Sequence, residues 1–473
     1  MFEKSSRIGG RNGCLEEGGY KFDIGPTFLM MKFLLDSIFD ECEVRSENYL
    51  TFKRLEPMYD LRFQGKSFKP SNDPEKTKRE IEKLFPGSSS GFDRFMEYEK
   101  RRFAKIIPCL QKDYSSLGSM LSFKLVQSVP YLSFGKSVFD VLKGYFKNED
   151  LSLLFSFQSK YLGMSAWDCP GGFSMLSYIE YAYGIYHTQG GLSAIPDALA
   201  KVAKEKGAKI HLNAGVKTLL MDGKKVTGVQ LESGEKVFSD VTVLNADFAK
   251  AMADIVPKGK LKKYTPEKLG KKKFSCSTYM MHLGLDKLFP GEHHTILFAE
   301  DYKTNVKEIF SNGTLSKDIS FYVRNASVTD PTLAPKGHSS VYVLVPVPNL
   351  DSQIDWARDG VTFRENVLNQ VESRMGWKGL REHIRVEKVM TPLGWQNDLD
   401  IYKGATFNLS HNLGQMAYWR PRNQFEELGN VYLTGGGTHP GSGLPTILES
   451  ARISSNLISK RFNVSFLTKT ISM

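Results

Sequence analysis

The chain has 473 residues, 41% of them hydrophobic and 24% charged, with a formal net charge of +11. This is the composition of a globular chain, neither disordered nor embedded in a membrane. The five cysteines, Cys14, Cys42, Cys109, Cys169 and Cys276, stand far apart with no C-x-x-C pair, which argues against a disulfide framework and a zinc site and for reduced thiols in a cytosolic protein. The positive charge suits nucleic acid, a phospholipid surface, or a basic enzyme with an anionic cofactor; the motifs below select the last two and leave no nucleic-acid partner expected. There is no signal-peptide pattern and no apolar run of about 18 residues, so membrane contact is expected to be peripheral, from the cytoplasm.

In chain order, residues 1–72 mix short strand-like runs with glycine turns, as in GGYKFDIGPTFLM and MYDLRFQGKSFKP. Helical patterning dominates 73–186, punctuated by Pro86, Pro108, Pro130 and Pro170, and predicts a helical cap. Residues 192–206, LSAIPDALAKVAKEK, predict an amphipathic helix ending at Gly207. The next stretch, broken at Asp222-Gly223 and Ser233-Gly234, predicts an antiparallel meander. A run with eight lysines and one glutamate, PKGKLKKYTPEKLGKKK, reads as a solvated loop. Beyond it, the strands STYMMHLGL and SVYVLVPVP and the helix VTFRENVLNQVESRM predict a second α/β layer up to 394. The expected division is therefore 1–72, 187–256 and 395–473 for one α/β unit, 73–186 for the cap and 257–394 for a second α/β unit.

The most specific stretch is NVYLTGGGTHPGSGLPTILESA, in which a strand runs through glycines into a helix whose first turn holds Pro445. Such a junction gathers free backbone N–H groups and the positive helix end at one point, which attracts an anion or an electron-rich carbonyl. Five glycines and two prolines between Gly435 and Pro445 are more than an ordinary βα turn needs. At the other end, Glu3 closes a short apolar segment, as does the acidic residue that binds ribose in a nucleotide-binding βαβ unit. The following Gly9, Gly10 and Arg11 allow close backbone approach to a pyrophosphate and supply its counter-charge. The G-x-G-x-x-G loop of such a unit belongs ahead of Glu3, so the α/β unit is expected to be N-terminally truncated, and the chain is expected to bind its nucleotide poorly or to fold badly.

FEKSSRIGGRNG, GGYKFDIGPT, YHTQGGLSAIPDAL, VLNAD, YVRNASVTDPTLAPKG, YWRPRN and GNVYLTGGGTHPGSGLP, in this order along nearly the whole chain, resemble the bacterial and fungal type of phytoene desaturase. That family comprises FAD-dependent carotenoid desaturases within the amine-oxidase-like flavoprotein fold. The resemblance implies a Rossmann-like FAD-binding α/β domain, a mixed α/β substrate domain and a helical cap. It implies further that Glu3 holds the FAD ribose, that Gly9, Gly10 and Arg11 lie along the pyrophosphate, and that Val216 bonds the adenine through its backbone. Gly435, Gly436, Gly437, Thr438 and the helix start at Leu444 and Pro445 would face the flavin, with His439 in the adjoining cavity as a possible proton acceptor or as a loop-capping residue.

The implied reaction removes hydride from an allylic carbon to flavin N5 and a neighbouring proton, giving a new conjugated double bond in a carotenoid or related isoprenoid. A hydrocarbon offers nothing polar to clamp, so an apolar tunnel is expected and the absence of Ser/His/Asp or HExxH arrangements fits. Alternatives on the same fold are a carotenoid isomerase, a retinol-saturase-like enzyme, or an inactive relative that no longer binds FAD. The segment from Met120 to Phe146, rich in aromatic and aliphatic residues with Lys124, Lys136 and Lys143, reads as an interfacial segment on lipid, as part of the cap, or both.

Overall fold

In the computed structural model, residues 1–465 are described; the end of the expected last segment, 466–473, lies outside them. Three layers surround the expected site: a long mixed sheet, a helical cap over one of its faces, and a smaller α/β unit assembled from both ends of the chain.

The mixed sheet has seven strands. Their spatial order is Ile384–Met390, Ser277–Leu285, Ser339–Val347, Phe321–Asn325, His294–Leu297, Asp60–Phe63 and Lys66–Phe68. All nine residues of Ser277–Leu285 are buried, which a strand achieves only when both sheet faces are covered. Alternation then divides its side chains. Tyr279, Met281, Leu283 and Leu285 join Val341, Val343, Phe321 and Val323 under the helix Asp359–Met375. Met280 points with Tyr322 and Tyr342 into the cap, as a period of two requires. The hairpin of Asp60–Phe63 and Lys66–Phe68 stands with this sheet through the parallel pairing of Leu61 with Ile296, although the sequence groups it with the N-terminal segment.

The cap consists chiefly of the helices Pro74–Leu84, Ser89–Leu110, Val138–Phe146, Glu149–Leu154 and Met175–Tyr183. Their starts carry the expected local chemistry. Asp73 accepts from the amides of Glu75 and Lys76 with Pro74 in the first turn, and Ser137 and Asp140 form a reciprocal capping box. Pro108 lies in the last turn of Ser89–Leu110 rather than before it.

Only part of Met120 to Phe146 has the exposure that the interfacial reading requires. Leu121, Phe123, Val126, Val129 and Phe134 are exposed, whereas Val138, Phe139, Val141, Leu142 and Phe146 are buried in the cap core.

In the α/β unit, Val216–Asp222, Lys225–Leu231 and Lys236–Phe238 form the antiparallel meander. Thr242–Leu244 pairs in parallel with Val431–Leu433, and Phe2 bridges His211 in parallel. The helices Lys32–Glu41 and Leu444–Arg461 are clamped together by Arg452, which bonds Glu41 at 2.8 Å and Ser37 at 2.6 Å. Among the described residues no helix is long and apolar enough to cross a membrane, and no group of side chains could hold a metal ion.

Candidate functional site

Both chain ends meet around Arg11. Gly9 adopts φ 107° and opens the 3-10 turn Gly10–Asn12; a Cβ there would lie 3.1 Å from Pro196 of the helix Ala194–Glu205 and 3.0 Å from the Asn12 carbonyl. That turn directs the Arg11 guanidinium inward, where Nη1 donates to the Thr406 carbonyl at 3.2 Å and lies 3.7 Å from Asp247 Oδ2. With its amide oriented to satisfy its neighbours, Asn408 donates to Asp247 at 2.7 Å and accepts from Arg11 at 3.0 and 3.2 Å. Burial pushes the Arg11 pKa down and the Asp247 pKa up, each partly opposed by the other's charge.

Asn408 carries the contact on to the glycine run. A Cβ on Gly436 would stand 2.9 Å from its amide, and one on Gly437 would stand 2.5 Å from the Phe248 Cβ. The run has room for no side chain at either position. Its carbonyls are held by Arg420 of the YWRPRN stretch. This fully buried guanidinium donates to Gly436 at 2.7 Å, Thr438 at 3.1 Å, Leu409 at 3.2 Å and Gln415 at 3.3 Å. Burial lowers the Arg420 pKa to about 9, so the charge survives at neutral pH and leaves the neighbourhood of the glycine run positive. Gly435 donates its amide to Ser450 at 3.2 Å, and Thr438 is buried with its hydroxyl on the Pro421 carbonyl.

Beyond the run, His411 Nε2 accepts from the Ser442 amide at 3.0 Å. Burial and Arg420 hold His411 well below the ordinary histidine range, so it remains the neutral acceptor this bond requires. The helix Leu444–Arg461 follows with Pro445 in its first turn and no side-chain cap. Its first amides therefore remain available, and an 18-residue helix end contributes positive potential there. His439 is buried, lies edge-on to Tyr114 at 4.9 Å, and has no hydrogen bond of good geometry on either ring nitrogen. Burial, with Arg420 adding to it, lowers its pKa to about 3.

Glu3 and Val216 lie on neighbouring backbone segments. The Glu3 carbonyl accepts from the Ala214 amide at 2.8 Å and its amide donates to the His211 carbonyl at 2.9 Å; Ala214 stands two residues before the strand Val216–Asp222 begins. The Glu3 carboxylate accepts from the Ser5 amide at 2.9 Å. Glu3 thus sits beside the segment that leads into Val216, and Asn408 links Arg11 to the glycine run at Gly436.

The second motif of the N-terminal region, GGYKFDIGPT, supplies the frame. Asp23 accepts from the amides of Leu192 at 3.0 Å and Ser193 at 2.9 Å and pairs with Arg324 at 2.7 Å. A Cβ on Gly25 would lie 2.4 Å from the Arg11 carbonyl, so this glycine fixes how closely the two N-terminal segments pack. Sequence reasoning assigned no role to Asp23, Asp247, Asn408, His411 or Arg420. The available signal was the need of a buried Arg11 for a counter-ion, which VLNAD supplies.

Two adjoining cavities, about 1390 and 890 Å³, share Asp168, Lys272, Lys273 and Asn412. No residue of the glycine run lines either cavity; the larger one comes nearest through Gly163 and Ser275, which pack against Phe407 and Asn408. Met164, Cys276, Phe310 and Phe363 contribute apolar walls, but most lining residues are polar or charged, among them Asp168, Lys272, Lys317, Asn349 and Arg358, so these two cavities are not the apolar tunnel expected from the sequence. A buried arginine, crowded glycines with no room for side chains, and an uncapped helix end form a donor set that fits an anionic dinucleotide with a flat ring.

The family model of the flavin-containing amine oxidoreductases matches residues 1–459. The 4,4'-diapophytoene desaturase (4,4'-diapolycopene-forming) of Methylomonas sp is 51% identical over 466 residues, covering 98% of this chain and 91% of that protein. The all-trans-zeta-carotene desaturase of Myxococcus xanthus is 32% identical, covering 97% and 88%. Among solved structures, an oxidoreductase from Methanosarcina mazei superposes with a TM-score of 0.61 at 18% identity, covering 97% of this chain and 93% of that one, which shows the shared fold. The chain belongs to the flavin-containing amine oxidoreductase family.

Proposed function

We propose that this protein is an FAD-dependent desaturase of a carotenoid precursor, working at a membrane surface. The single observation that carries the reading is the 51% identity, over 98% of the chain, to a 4,4'-diapophytoene desaturase. The charge pattern around Arg11 and Arg420 supports it.

In this reading Glu3 takes the ribose hydroxyls, the Val216 backbone meets the adenine, and Gly9, Gly10 and Arg11 lie along the pyrophosphate. Gly435 to Thr438 and the helix start at Leu444 and Pro445 face the ring system. Bound FAD supplies a two-electron acceptor for hydride from an allylic carbon. The protein's part is to hold the polyene in a dry, apolar channel, to present the positive helix end, and to take up a proton. A carbon chain that has given up a hydride is a strong acid at the adjoining carbon. Neutral His439, weakly basic as burial makes it, is the candidate acceptor of that proton. The exposed Leu121, Phe123, Val126, Val129 and Phe134, with Lys124 and Lys136 between and beside them, form the lipid-facing surface through which such a substrate would be drawn.

The test is incubation of the FAD-loaded protein with 4,4'-diapophytoene in liposomes, with products separated by chromatography. Products with more conjugated double bonds and correspondingly longer absorption wavelengths are expected. Products of equal or lower conjugation would favour the isomerase or the saturase-like reading.

A further inference from the structure

The smaller of the two cavities, about 890 Å³, brings together three stretches that lie far apart in the chain. Leu132 to Ser137 is the end of the segment in which Leu121, Phe123, Val126, Val129 and Phe134 are exposed. Asn412 to Gln415 carries Leu413, 54% exposed, and leads to Trp419, 53% exposed. Lys271, Lys272 and Lys273, which end the lysine-rich run, line the same cleft.

Folding holds these stretches in place. Ser133 takes φ 51° and Gly135 φ 74°, a left-handed backbone that serine seldom adopts unaided. The buried Arg102 guanidinium donates to the Ser133 hydroxyl at 2.8 Å, and the Lys136 carbonyl accepts from the Gly171 amide at 2.8 Å. Gln415 accepts from the Lys273 amide at 3.2 Å and donates to the Lys273 carbonyl at 2.8 Å, which ties the lysines to the loop of Leu413.

Four lysines and two aspartates line the cleft. Among the described residues none of the four ammonium groups, on Lys136 and Lys271 to Lys273, has a carboxylate within ion-pairing distance. Asp140 is engaged in the capping box with Ser137 and meets Lys136 only through space. Asp168 accepts from the Ser165 hydroxyl at 2.7 Å. Earlier in the lysine-rich run the charges are tied down: Lys263 pairs with Glu426 at 2.7 Å, and Lys268 donates to the Lys262 carbonyl at 2.7 Å. The run is therefore not one uniform solvated loop. Its last three lysines are free to meet an anion, and they do so beside exposed apolar side chains. Ammonium groups that reach phosphates while neighbouring aromatic and aliphatic side chains enter the acyl boundary are the chemistry of contact with an anionic bilayer.

We propose that this cleft is a binding site for the phosphate headgroups of anionic phospholipids, with Phe134 and Leu413 entering the bilayer on either hand of Lys271 to Lys273. The proposal rests on the membrane-surface reading and adds to it the class of lipid and the residues that select it.

The experiment measures flotation of the FAD-loaded protein with vesicles of phosphatidylcholine alone and with vesicles in which half the lipid is phosphatidylglycerol. At least tenfold stronger partitioning onto the mixed vesicles is expected, shrinking as added salt screens the charges. The triple variant Lys271→Gln, Lys272→Gln, Lys273→Gln should lose that excess and keep its binding to phosphatidylcholine. Lys258→Gln, Lys260→Gln, Lys262→Gln removes the same charge from the other end of the run and should keep the excess. Thermal melts establish that both variants fold. An undiminished excess in the first variant would overturn the cleft and leave the membrane reading standing, whereas a parent protein that floats with neither vesicle would overturn both. Equal losses in the two variants would reduce the effect to diffuse charge attraction and overturn the site. Calorimetry with inorganic phosphate is the remaining arm: saturable binding that the first variant abolishes would assign the cleft to a free anion in place of a lipid.

Discussion

Asp23 and Arg324 face each other across the junction of the N-terminal strand pair and the seven-stranded sheet, 2.7 Å apart, with each side chain at most 3% exposed. The same carboxylate receives the first amides around the helix Ala194–Glu205, and the same guanidinium reaches His187 and His293 at 3.3 Å. One buried pair thus joins the N-terminal strand pair and the start of the helix Ala194–Glu205 to the seven-stranded sheet.

Removing one partner leaves the other charge buried and unpaired, which costs on the order of 3–5 kcal/mol. Arg324→Met is expected to lower the urea midpoint by that equivalent. The double variant Asp23→Asn with Arg324→Met should recover part of the loss. A change below about 1 kcal/mol in the single variant would mean that the pair is not the junction described.

Gly10 and Gly25 separate folding from cofactor retention. Gly10 has φ 52° and open space, with no atom within 4 Å, where an alanine methyl would stand, whereas a methyl on Gly25 would meet the Arg11 carbonyl at 2.4 Å. Gly10→Ala should cost about 1–2 kcal/mol, the ordinary penalty of a left-handed residue, with a disproportionate loss of bound flavin. Gly25→Ala should destabilise the fold itself. Thermal melts with and without added FAD distinguish the two.

Arg11 can be tested through the cofactor alone. Arg11→Met removes the counter-charge while Asn408 and Asp247 stay in place, so purified protein is expected to carry at least tenfold less flavin by absorbance at the flavin bands. Arg11→Lys should recover only part of it, because the ammonium cannot reproduce the paired contacts of the guanidinium. Full flavin content in Arg11→Met would remove this residue from the pyrophosphate site.

The buried histidines set an acid limit on stability. Burial lowers His439 to about 3 and His282 to about 4 from the ordinary 6.5. Between those values and 6.5 the unfolded chain takes up protons that the folded chain refuses, so stability is full above about 6.5 and falls on acidification through that window. Each ring contributes a slope of at most about 1.4 kcal/mol per pH unit. His439→Gln should flatten the urea midpoint against pH between pH 4 and 6.5. An unchanged slope would show that His439 does not titrate as its burial requires.

Membrane docking is tested on the exposed half of the interfacial segment. Leu121 and Phe123 are 80% and 75% exposed, and replacing both with Ser should reduce flotation with phospholipid vesicles severalfold while leaving the melting temperature within about 2 °C, since neither packs in the core. Equal flotation would move the docking surface elsewhere.

Local chemistry made much of this molecule legible in its sequence. The meander announces itself by its turns at Asp222-Gly223 and Ser233-Gly234, the final helix by Pro445, and the glycine run by having more glycines than a turn requires. These are properties of a few neighbouring residues, and neighbours in sequence are what a sequence displays. The order of motifs also pointed to the flavoenzyme family to which the comparisons assign the chain. Tertiary structure alone decided which charges meet. Asp247, Asn408 and Arg420 lie more than 200 residues from Arg11 along the chain. Their roles arise because burying a guanidinium demands acceptors that only folding brings within reach. The same holds for Met120 to Phe146, where composition is nearly uniform but packing buries one half against the cap and leaves the other in solvent. Apolar content is a property of the residues; which face they turn inward depends on what lies opposite.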